Sequence, residues 1–197
     1  VAYRKTDLNL NNSNRHFKTW WKHITGTDGT FTRGTSNKEE NETLIKLRSL
    51  IDKDKYILDY NIPRLVIEFR KMLKKIGKQK YYKNVTSIIK NLTDIHPPEI
   101  DISDYKRLSN LYVKVNQIIY DIKSDERVNR SYCPYYIYKI LEHCTKCDGG
   151  SSSESRKILS FIFLQSKGTV EKLDREWEKV CSLVVDIKYT PTVLFRK

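Results

Sequence analysis

The sequence predicts a mainly α-helical fold, a compact multi-helix domain of about seven helices. Two observations predict it: apolar residues recur every three or four positions in seven segments, and the connections between those segments are short. With 197 residues, 39% of them hydrophobic, the chain is long enough to bury a core. This composition excludes a disordered or low-complexity chain. No apolar run approaches the roughly 18 residues that a membrane span needs, so we expect no membrane partner.

The amino-terminal segment lacks helical periodicity. Residues 1–14 are polar, so we expect them to form an arm ahead of a single helical domain that spans 15–197. The first predicted helix covers 15–24, where aromatic and aliphatic residues share one face. Glycines with Thr and Ser between them predict a loop over 25–37. Either Asn37 or the serine before it can then cap the second helix.

Proline and glycine residues delimit the later helices. Pro63 suits the first turn of a helix that runs to about residue 76, where Gly77 ends it. The clearest helix spans about 103–124, with five turns of regular apolar spacing, and residues 145–155 form the most loop-like stretch. We expect three further helices, over about 85–92, 134–144 and 169–184. The tail after the last helix has β character, and a proline there confines any short strand to an edge.

Positive charge is concentrated in one region of the sequence. The chain has 37 Lys and Arg against 24 Asp and Glu, and positions 64–90 hold nine basic residues and a single acid, Glu68. Lysines at helical spacing can track a phosphate backbone, and tyrosines beside them could stack on bases or pack inward. We predict a nucleic-acid-binding face, with an ordinary solvated surface as the alternative. The candidate residues are Arg64, Lys71, Lys74, Lys75, Lys78, Lys80, Tyr81 and Lys83, with a thinner second patch at Arg127, Arg130 and Lys139.

Enzyme and metal signatures are sparse. There is no Gly-rich phosphate loop, no GxSxG turn and no HExxH motif, so we do not expect an enzyme. The alternative, a nucleic-acid-processing enzyme, would need acids such as Asp101, Asp104 and Asp174 to converge on a metal ion. Cys144 and Cys147 form a C-x-x-C pair, which is two ligands short of a structural zinc site. We expect reduced thiols and no cofactor, with zinc at this pair as the weaker alternative.

Four sequence blocks resemble the poxvirus late transcription factor 3-like family of large cytoplasmic DNA viruses. Their shared order and spacing, over roughly 15–185, carry the resemblance. The blocks are HFKTWWKHITG from His16, KYYKNVTSIIKNLTDIHPPEI from Lys80, Arg127-x-Asn129 leading to Tyr135-x-x-Tyr138-Lys139, and Leu164-x-Ser166-Lys167 continuing to Asp174-x-x-Trp177 and Cys181. Cys133 departs from the family, which tends to have Tyr there, and the C-x-x-C pair has no family counterpart.

The resemblance implies a factor of late viral gene transcription, acting in the host cytoplasm at viral factories. It implies DNA and the viral RNA polymerase or other transcription factors as partners, and it transfers no catalytic residue. Family members often carry an N-terminal zinc ribbon, which we expect upstream of Val1. The alternative is a protein-interaction or homodimerisation module that does not bind DNA. It would use the apolar stripe from Tyr105 to Ile122 or the aromatic segment around Trp20.

Overall fold

The computed structural model describes residues 2–122, 132–147 and 153–194, and the side chains of 12–122, 132–146 and 156–194. Over these ranges the chain is all α, with eight α-helices and no strand, which confirms the predicted fold class. The helices are α1 (Ala2–Thr25), α2 (Lys38–Lys53), α3 (Ile62–Lys75), α4 (Val85–Leu92), α5 (Ile102–Ile122), α6 (Cys133–Cys147), α7 (Ser153–Leu159) and α8 (Lys167–Leu183). Two 3₁₀ helices, Lys55–Asp59 and Gln79–Asn84, flank α3. None of these helices is long and apolar enough to cross a membrane.

One compact unit consists of residues 21–98 and a short segment at 160–163. Helices α2, α3 and α4 contribute the buried faces of its core. Asn61 caps α3 by accepting a backbone N–H of the first turn, and Pro63 lies in that turn, as predicted. The side chains that α3 buries completely are spaced by four residues: Leu65, Phe69 and Leu73.

The other compact unit combines α5, α6, α7 and α8 with the part of α1 that ends at Trp20. Within it, α5 packs on α6 and α8, and α6 packs on α7. The apolar stripe of α5 is buried here at Leu108, Tyr112 and Ile119. The ring centroid of Phe17, from α1, lies 5.3 Å from that of Tyr112. The α5 stripe therefore forms part of the core of this unit.

Helix α1 begins at Ala2, well before the predicted start, so the predicted helix boundary was wrong. The reason is visible where the side chains are described. Ser13 is buried and accepts a hydrogen bond from the side-chain amide of Asn116 in α5 at 2.7 Å. Polar contacts of this kind leave no apolar periodicity in the sequence. The division into an arm at 1–14 and one domain over 15–197 stays a prediction.

The stretch that was expected to be most loop-like, 145–155, overlaps two helices. Helix α6 runs to Cys147, and α7 begins at Ser153 as an eighth helix that the sequence did not predict. The last turn of α7 buries Ile158 completely. Helices as short as α7 depend on tertiary packing more than on local propensity. The serines around α7 are weak helix formers.

The carboxyl-terminal segment 184–194 forms no strand, so the prediction of an edge strand was wrong. Side chains of α6 and α8 satisfy its polar groups instead. The backbone N–H and the hydroxyl of Thr192 donate to Asp174 at 2.9 and 2.5 Å. The buried ammonium of Lys139 donates to the carbonyl of Thr190 at 2.7 Å. Because these groups are paired, the segment needs no neighbouring strand.

The loop between α1 and α2 is built around the buried carboxylate of Asp28, whose side chain is 5% exposed. His23 donates from Nδ1 at 2.7 Å, and Thr30 donates from its backbone N–H at 3.0 Å and its hydroxyl at 2.7 Å. Asn84 and Ser87 donate at 2.9 and 3.0 Å. Burial raises the pKa of Asp28, but the hydrogen bonds from His23 and Thr30 outweigh it and hold that pKa well below its usual range. The loop is thereby fastened to the start of α4.

A second buried carboxylate, that of Glu40 in α2, fixes the rest of the loop. It accepts the backbone N–H of Phe31 and the hydroxyl of Thr35, both at 2.9 Å. Asn91 of α4 donates to the carbonyl of Phe31 at 2.8 Å. Phe31 has a φ of +51°, a left-handed conformation that costs an L-residue about 1–2 kcal/mol. Bonds on both sides of Phe31 hold it there, with its ring buried in the core.

Gly26 should be sensitive to substitution, because its φ is +62° and an added Cβ would lie 2.7 Å from Cδ of Lys90 and 3.2 Å from the backbone N of Ser87. We predict that Gly26→Ala lowers the free energy of unfolding by about 2–4 kcal/mol, through backbone strain and overpacking together. Gly29→Ala is the matched control, because Gly29 has a φ of +79° and open space around its Cβ position. It should show only the conformational cost. Urea unfolding followed by tryptophan fluorescence measures both, and equal losses would contradict the close packing.

The lowered pKa of Asp28 implies that the stability of the fold depends on pH. Because its pKa is lower in the folded chain, its contribution is fully present above the ordinary aspartate pKa of about 4 and is lost as the pH falls toward the folded value. We predict that Asp28→Asn lowers the free energy of unfolding at neutral pH by about 2 kcal/mol or more. The difference from the wild type should shrink between about pH 5 and pH 3. Denaturant unfolding across this range tests it, and a difference that does not change with pH would contradict the assignment.

Candidate nucleic-acid interface

The basic face begins on the solvent side of α3. It is formed by Arg64, Lys71, Lys74, Lys75, Lys78, Lys80 and Lys83. Arg64, Lys71 and Lys75 are exposed and, at intervals of seven and four residues, share one side of the helix. The guanidinium of Arg64 lies 3.8 Å from the ring centroid of Tyr60, and the ammonium of Lys71 lies 2.8 Å from Glu68. The stripe is therefore exposed, and Glu68 offsets one of its charges.

A Schellman turn carries the positive charge from α3 to the second 3₁₀ helix. Gly77 ends the helix as predicted, with a φ of +72°. The N–H groups of Gly77 and Lys78 donate to the carbonyls of Lys74 and Leu73 at 3.1 and 2.8 Å. Because these bonds satisfy the last carbonyls of α3, the chain can leave the helix axis here. The turn places Lys78 and Lys80 near the first turn of α2.

Lys78 and Lys80 both contact the carboxylate of Glu39 in α2. Each ammonium nitrogen lies 2.7 Å from it. Hydrogen bonds from Lys78 and then from Lys80 lower the pKa of Glu39 to about 2. The carboxylate therefore bridges the two ammonium groups. No sequence pattern indicates this role of Glu39, because only tertiary structure brings it to lysines some 40 positions away.

The ring of Tyr81 packs inward. It meets the ring of Phe31 edge-on, with centroids 4.8 Å apart, and burial raises the pKa of its hydroxyl. The ammonium of Lys80 lies 5.0 Å from the centroid of the same ring. Of the two roles left open for the tyrosines, inward packing is therefore the one that Tyr81 has here. Its ring links Lys80 to the core.

Two basic residues of the same region serve packing and are not part of the basic face. The guanidinium of Arg70 lies 4.1 Å from the ring centroid of Tyr82 and 3.8 Å from that of Phe163. It also donates to the carbonyl of Tyr82 at 3.2 Å. Lys90 donates to the carbonyl of Gly26 at 2.9 Å. A count of charges along the sequence cannot separate these two residues from those that face solvent.

Lys74, Lys75 and Lys83 are the least compensated cations of the basic face. All three are exposed, and none has an ion pair within the part of the chain that the structure describes. Arg127 and Arg130 of the second patch lie outside the described residues. Placing Lys139 on that surface patch was wrong, because its ammonium is buried and donates to Glu142 at 2.7 Å. The structure therefore brings the predicted residues from Arg64 to Lys83 into one region of the same unit.

The cysteines show no metal site in the described ranges. Cys144 is buried, and the side chain of Cys147 lies outside those described. Cys133 contacts the hydroxyl of Tyr112 and lies 3.3 Å from Nδ1 of His16, and burial raises its pKa to about 12. A thiol with that pKa is not an activated nucleophile. Over the described residues, no group of three His, Cys, Asp or Glu side chains could hold a metal ion. Zinc at Cys144 and Cys147 stays an untested alternative, because that pair lies partly outside the described side chains.

Two of the three acids that a nuclease would need, Asp101 and Asp174, have structural partners. Asp101 accepts the hydroxyl of Ser103 at 2.6 Å and the backbone N–H of Asp104 at 2.9 Å, at the start of α5. Asp174 accepts the hydroxyl of Tyr135 at 2.5 Å and also holds the carboxyl-terminal segment. Asp101 therefore stabilises the first turn of α5, and Asp174 holds the carboxyl-terminal segment against α8.

Comparisons with known proteins agree with the sequence blocks. The family model described as Poxvirus Late Transcription Factor VLTF3 like matches residues 6–189. Proteins named "Zinc finger protein B385R", from African swine fever virus isolates of a Kenyan pig and a Namibian warthog, are each 32% identical over 191 residues. The match covers 96% of this chain and 48% of each relative, so the chain spans about half the length of these relatives. No solved structure matches the chain.

The matched span contains all four sequence blocks and most of both compact units. The zinc in the relatives' name has no counterpart among the side chains described here, where no three ligands are grouped. The resemblance that the sequence blocks carry is confirmed, and the chain belongs to the poxvirus late transcription factor 3-like family.

Proposed function

We propose that this chain is a DNA-binding, non-catalytic domain of a viral late transcription factor. Its basic face holds the DNA, and it contacts the viral RNA polymerase or other transcription factors through other surfaces. It acts in the host cytoplasm, at viral factories. The observation that carries the proposal is the group of exposed cations, Lys74, Lys75 and Lys83, beside Lys78 and Lys80.

The spacing of the lysines suits a phosphate backbone. Lys71 and Lys75 are one helical turn apart, about 6 Å along the axis of α3. That distance is close to the axial rise of two nucleotides in one strand, about 7 Å. Lysine supplies a point charge on a flexible stem, so ammonium groups one helical turn apart can follow every second phosphate of one strand. Contacts of this kind position a protein on DNA without reading the bases.

Tyr81 supports binding through phosphate contacts indirectly, by its position beside Lys80. Its ring is engaged by Phe31, so in this proposal it positions Lys80 and does not stack on a base. Binding through ammonium groups alone is electrostatic, and its strength should fall steeply with added salt. We therefore expect the basic face to hold DNA with little preference for sequence.

A homodimer stays a prediction. One of the two surfaces suggested for it, the α5 stripe, is buried at Leu108, Tyr112 and Ile119 within one unit. A dimer would then use the aromatic segment around Trp20 or another surface. Light scattering with and without DNA measures the stoichiometry directly.

We predict that Lys74→Glu combined with Lys75→Glu weakens DNA binding by about tenfold or more at low salt. The slope of log affinity against log salt should also become shallower by about 2, because two phosphate contacts are lost. The matched control is Lys172→Glu combined with Lys179→Glu, which makes the same charge change at exposed positions of α8. Fluorescence anisotropy over a salt titration measures both. Unchanged binding in the α3 variant, or an equal loss in the control, would contradict the proposal.

Glu39→Gln should have the opposite effect. Its carboxylate holds the ammonium groups of Lys78 and Lys80, and its removal frees both for phosphate. We predict tighter DNA binding and a salt slope that steepens by between about 1 and 2. Glu42→Gln, an equal charge change at an exposed position of the same helix, is the control. Binding that is weaker than in the wild type, or that rises equally in both variants, would show that Glu39 does not compete with DNA.

A further inference from the structure

A groove of about 870 Å³ follows the exposed side of α2, in the same compact unit as the basic face. Its lining combines two aliphatic residues of α2, Leu44 and Ile45, with the cations Arg33, Arg48 and Lys53. We call it the α2 groove. The loop before α2 and the end of α4 complete its lining. None of the sequence blocks or the lysines of the basic face accounts for it.

The aliphatic part of the α2 groove is open to solvent. Ile45 is 69% exposed, although it lies beside Leu44, which is buried. A single exposed aliphatic residue is ordinary on a protein surface. Here, however, it lies inside a concave site, next to polar side chains that can orient a ligand. Concave sites with an apolar part and a few polar groups are the usual form of a binding site.

The cations of the α2 groove are weakly compensated. Arg33 lies 3.7 Å from Asp94, and their side chains are 77% and 103% exposed, so this contact contributes little. Arg48 and Lys53 are exposed and have no ion pair within the described ranges. Asp52 is the one acid in the lining. The groove therefore carries a net positive charge that a ligand with carboxylates would complement.

The lining favours a peptide over a nucleic acid. None of the lining residues is aromatic, so bases would find no ring on which to stack. An aliphatic surface beside Arg48 suits an apolar side chain flanked by acids. We propose that the α2 groove binds an acidic peptide segment of a partner protein, which places an aliphatic side chain on Ile45 and carboxylates on Arg33, Arg48 and Lys53. That the partner belongs to the transcription machinery rests on the proposed function, whereas the chemistry of the groove is independent of DNA binding.

The length of α2 that lines the groove sets the size of the probe. From Asn41 to Lys53 the helix rises about 18 Å, which an extended peptide of roughly six residues would span. A fluorescein-labelled peptide of about eight residues that alternates Asp and Leu should therefore bind the whole chain. A second peptide with Ser in place of each Leu has the same charge. We expect it to bind about tenfold more weakly, because it lacks the apolar side chains.

Variants separate the α2 groove from the general positive charge of the chain. Arg48→Glu and Ile45→Asp should each weaken binding of the Asp-Leu peptide by about tenfold or more. Both positions are exposed, so circular dichroism and Tm should match those of the wild type. Lys74→Glu, with the same charge change as Arg48→Glu but on the basic face, should leave peptide affinity within about threefold. Fluorescence anisotropy at physiological salt measures all of these.

Three outcomes would overturn the proposal. Equal affinity for the Leu and Ser peptides would show that only charge is recognised. Equal losses in Arg48→Glu and Lys74→Glu would show that no defined site exists. A single-stranded oligonucleotide that displaces the peptide, and that itself binds more weakly to both Arg48→Glu and Ile45→Asp, would assign the groove to nucleic acid. Loss of DNA binding in the Lys74 and Lys75 variant tests the basic face alone, so the two proposals can fail separately.

Discussion

In the compact unit formed by residues 21–98 and 160–163, the buried carboxylate of Asp28 is the constraint on which the positions of the loop and of the basic face depend. A charge in a protein interior is stable only when donors surround it, so the chain around Asp28 must supply them. His23 at the end of α1 and Asn84 at the start of α4 meet at that carboxylate. The loop they fasten contains Phe31, and the ring of Phe31 supports Tyr81. The buried polar cluster around Asp28 thus fixes the position of the second 3₁₀ helix, Gln79–Asn84, and with it Lys80 and Lys83.

In the basic face, nearby carboxylates reduce the repulsion between lysines while leaving the lysines accessible to solvent. Lysines this close together repel one another, and Glu39 relieves that repulsion at Lys78 and Lys80, as Glu68 does at Lys71. These contacts are exposed or half-buried, so solvent screens them and each stabilises the fold only slightly. Under the proposed function, the carboxylates would limit the affinity of the face for DNA without blocking it. In the proposed function, such a surface would favour reversible association with DNA over tight retention.

Sequence patterns predicted those features of the fold, such as the two faces of α3, that depend on residues close together in the chain. The period of α3 separated its buried side from its charged side, because both follow from 3.6 residues per turn. Polar contacts between distant segments left no such pattern. Ser13 with Asn116 extends α1, and Glu39 with Lys78 moderates the candidate site, yet each pair is far apart in sequence. Arg70 could not be separated from the exposed cations, because its aromatic neighbours come from the fold.

Helix α2 takes part in both proposed sites, which raises the question of whether they influence each other. Its buried residues, Leu44, Leu47 and Ile51, hold it in the core, so a ligand at one end has no evident way to move the other. Coupling would then be electrostatic. Glu39 and Arg48 are nine residues apart, about 14 Å along the helix, whereas the Debye length at physiological ionic strength is about 8 Å. An acidic peptide in the α2 groove should therefore leave DNA binding nearly unchanged under those conditions. At roughly 0.01 M salt the Debye length grows to about 30 Å, and the same peptide should then weaken DNA binding by lowering the positive potential that the phosphates meet.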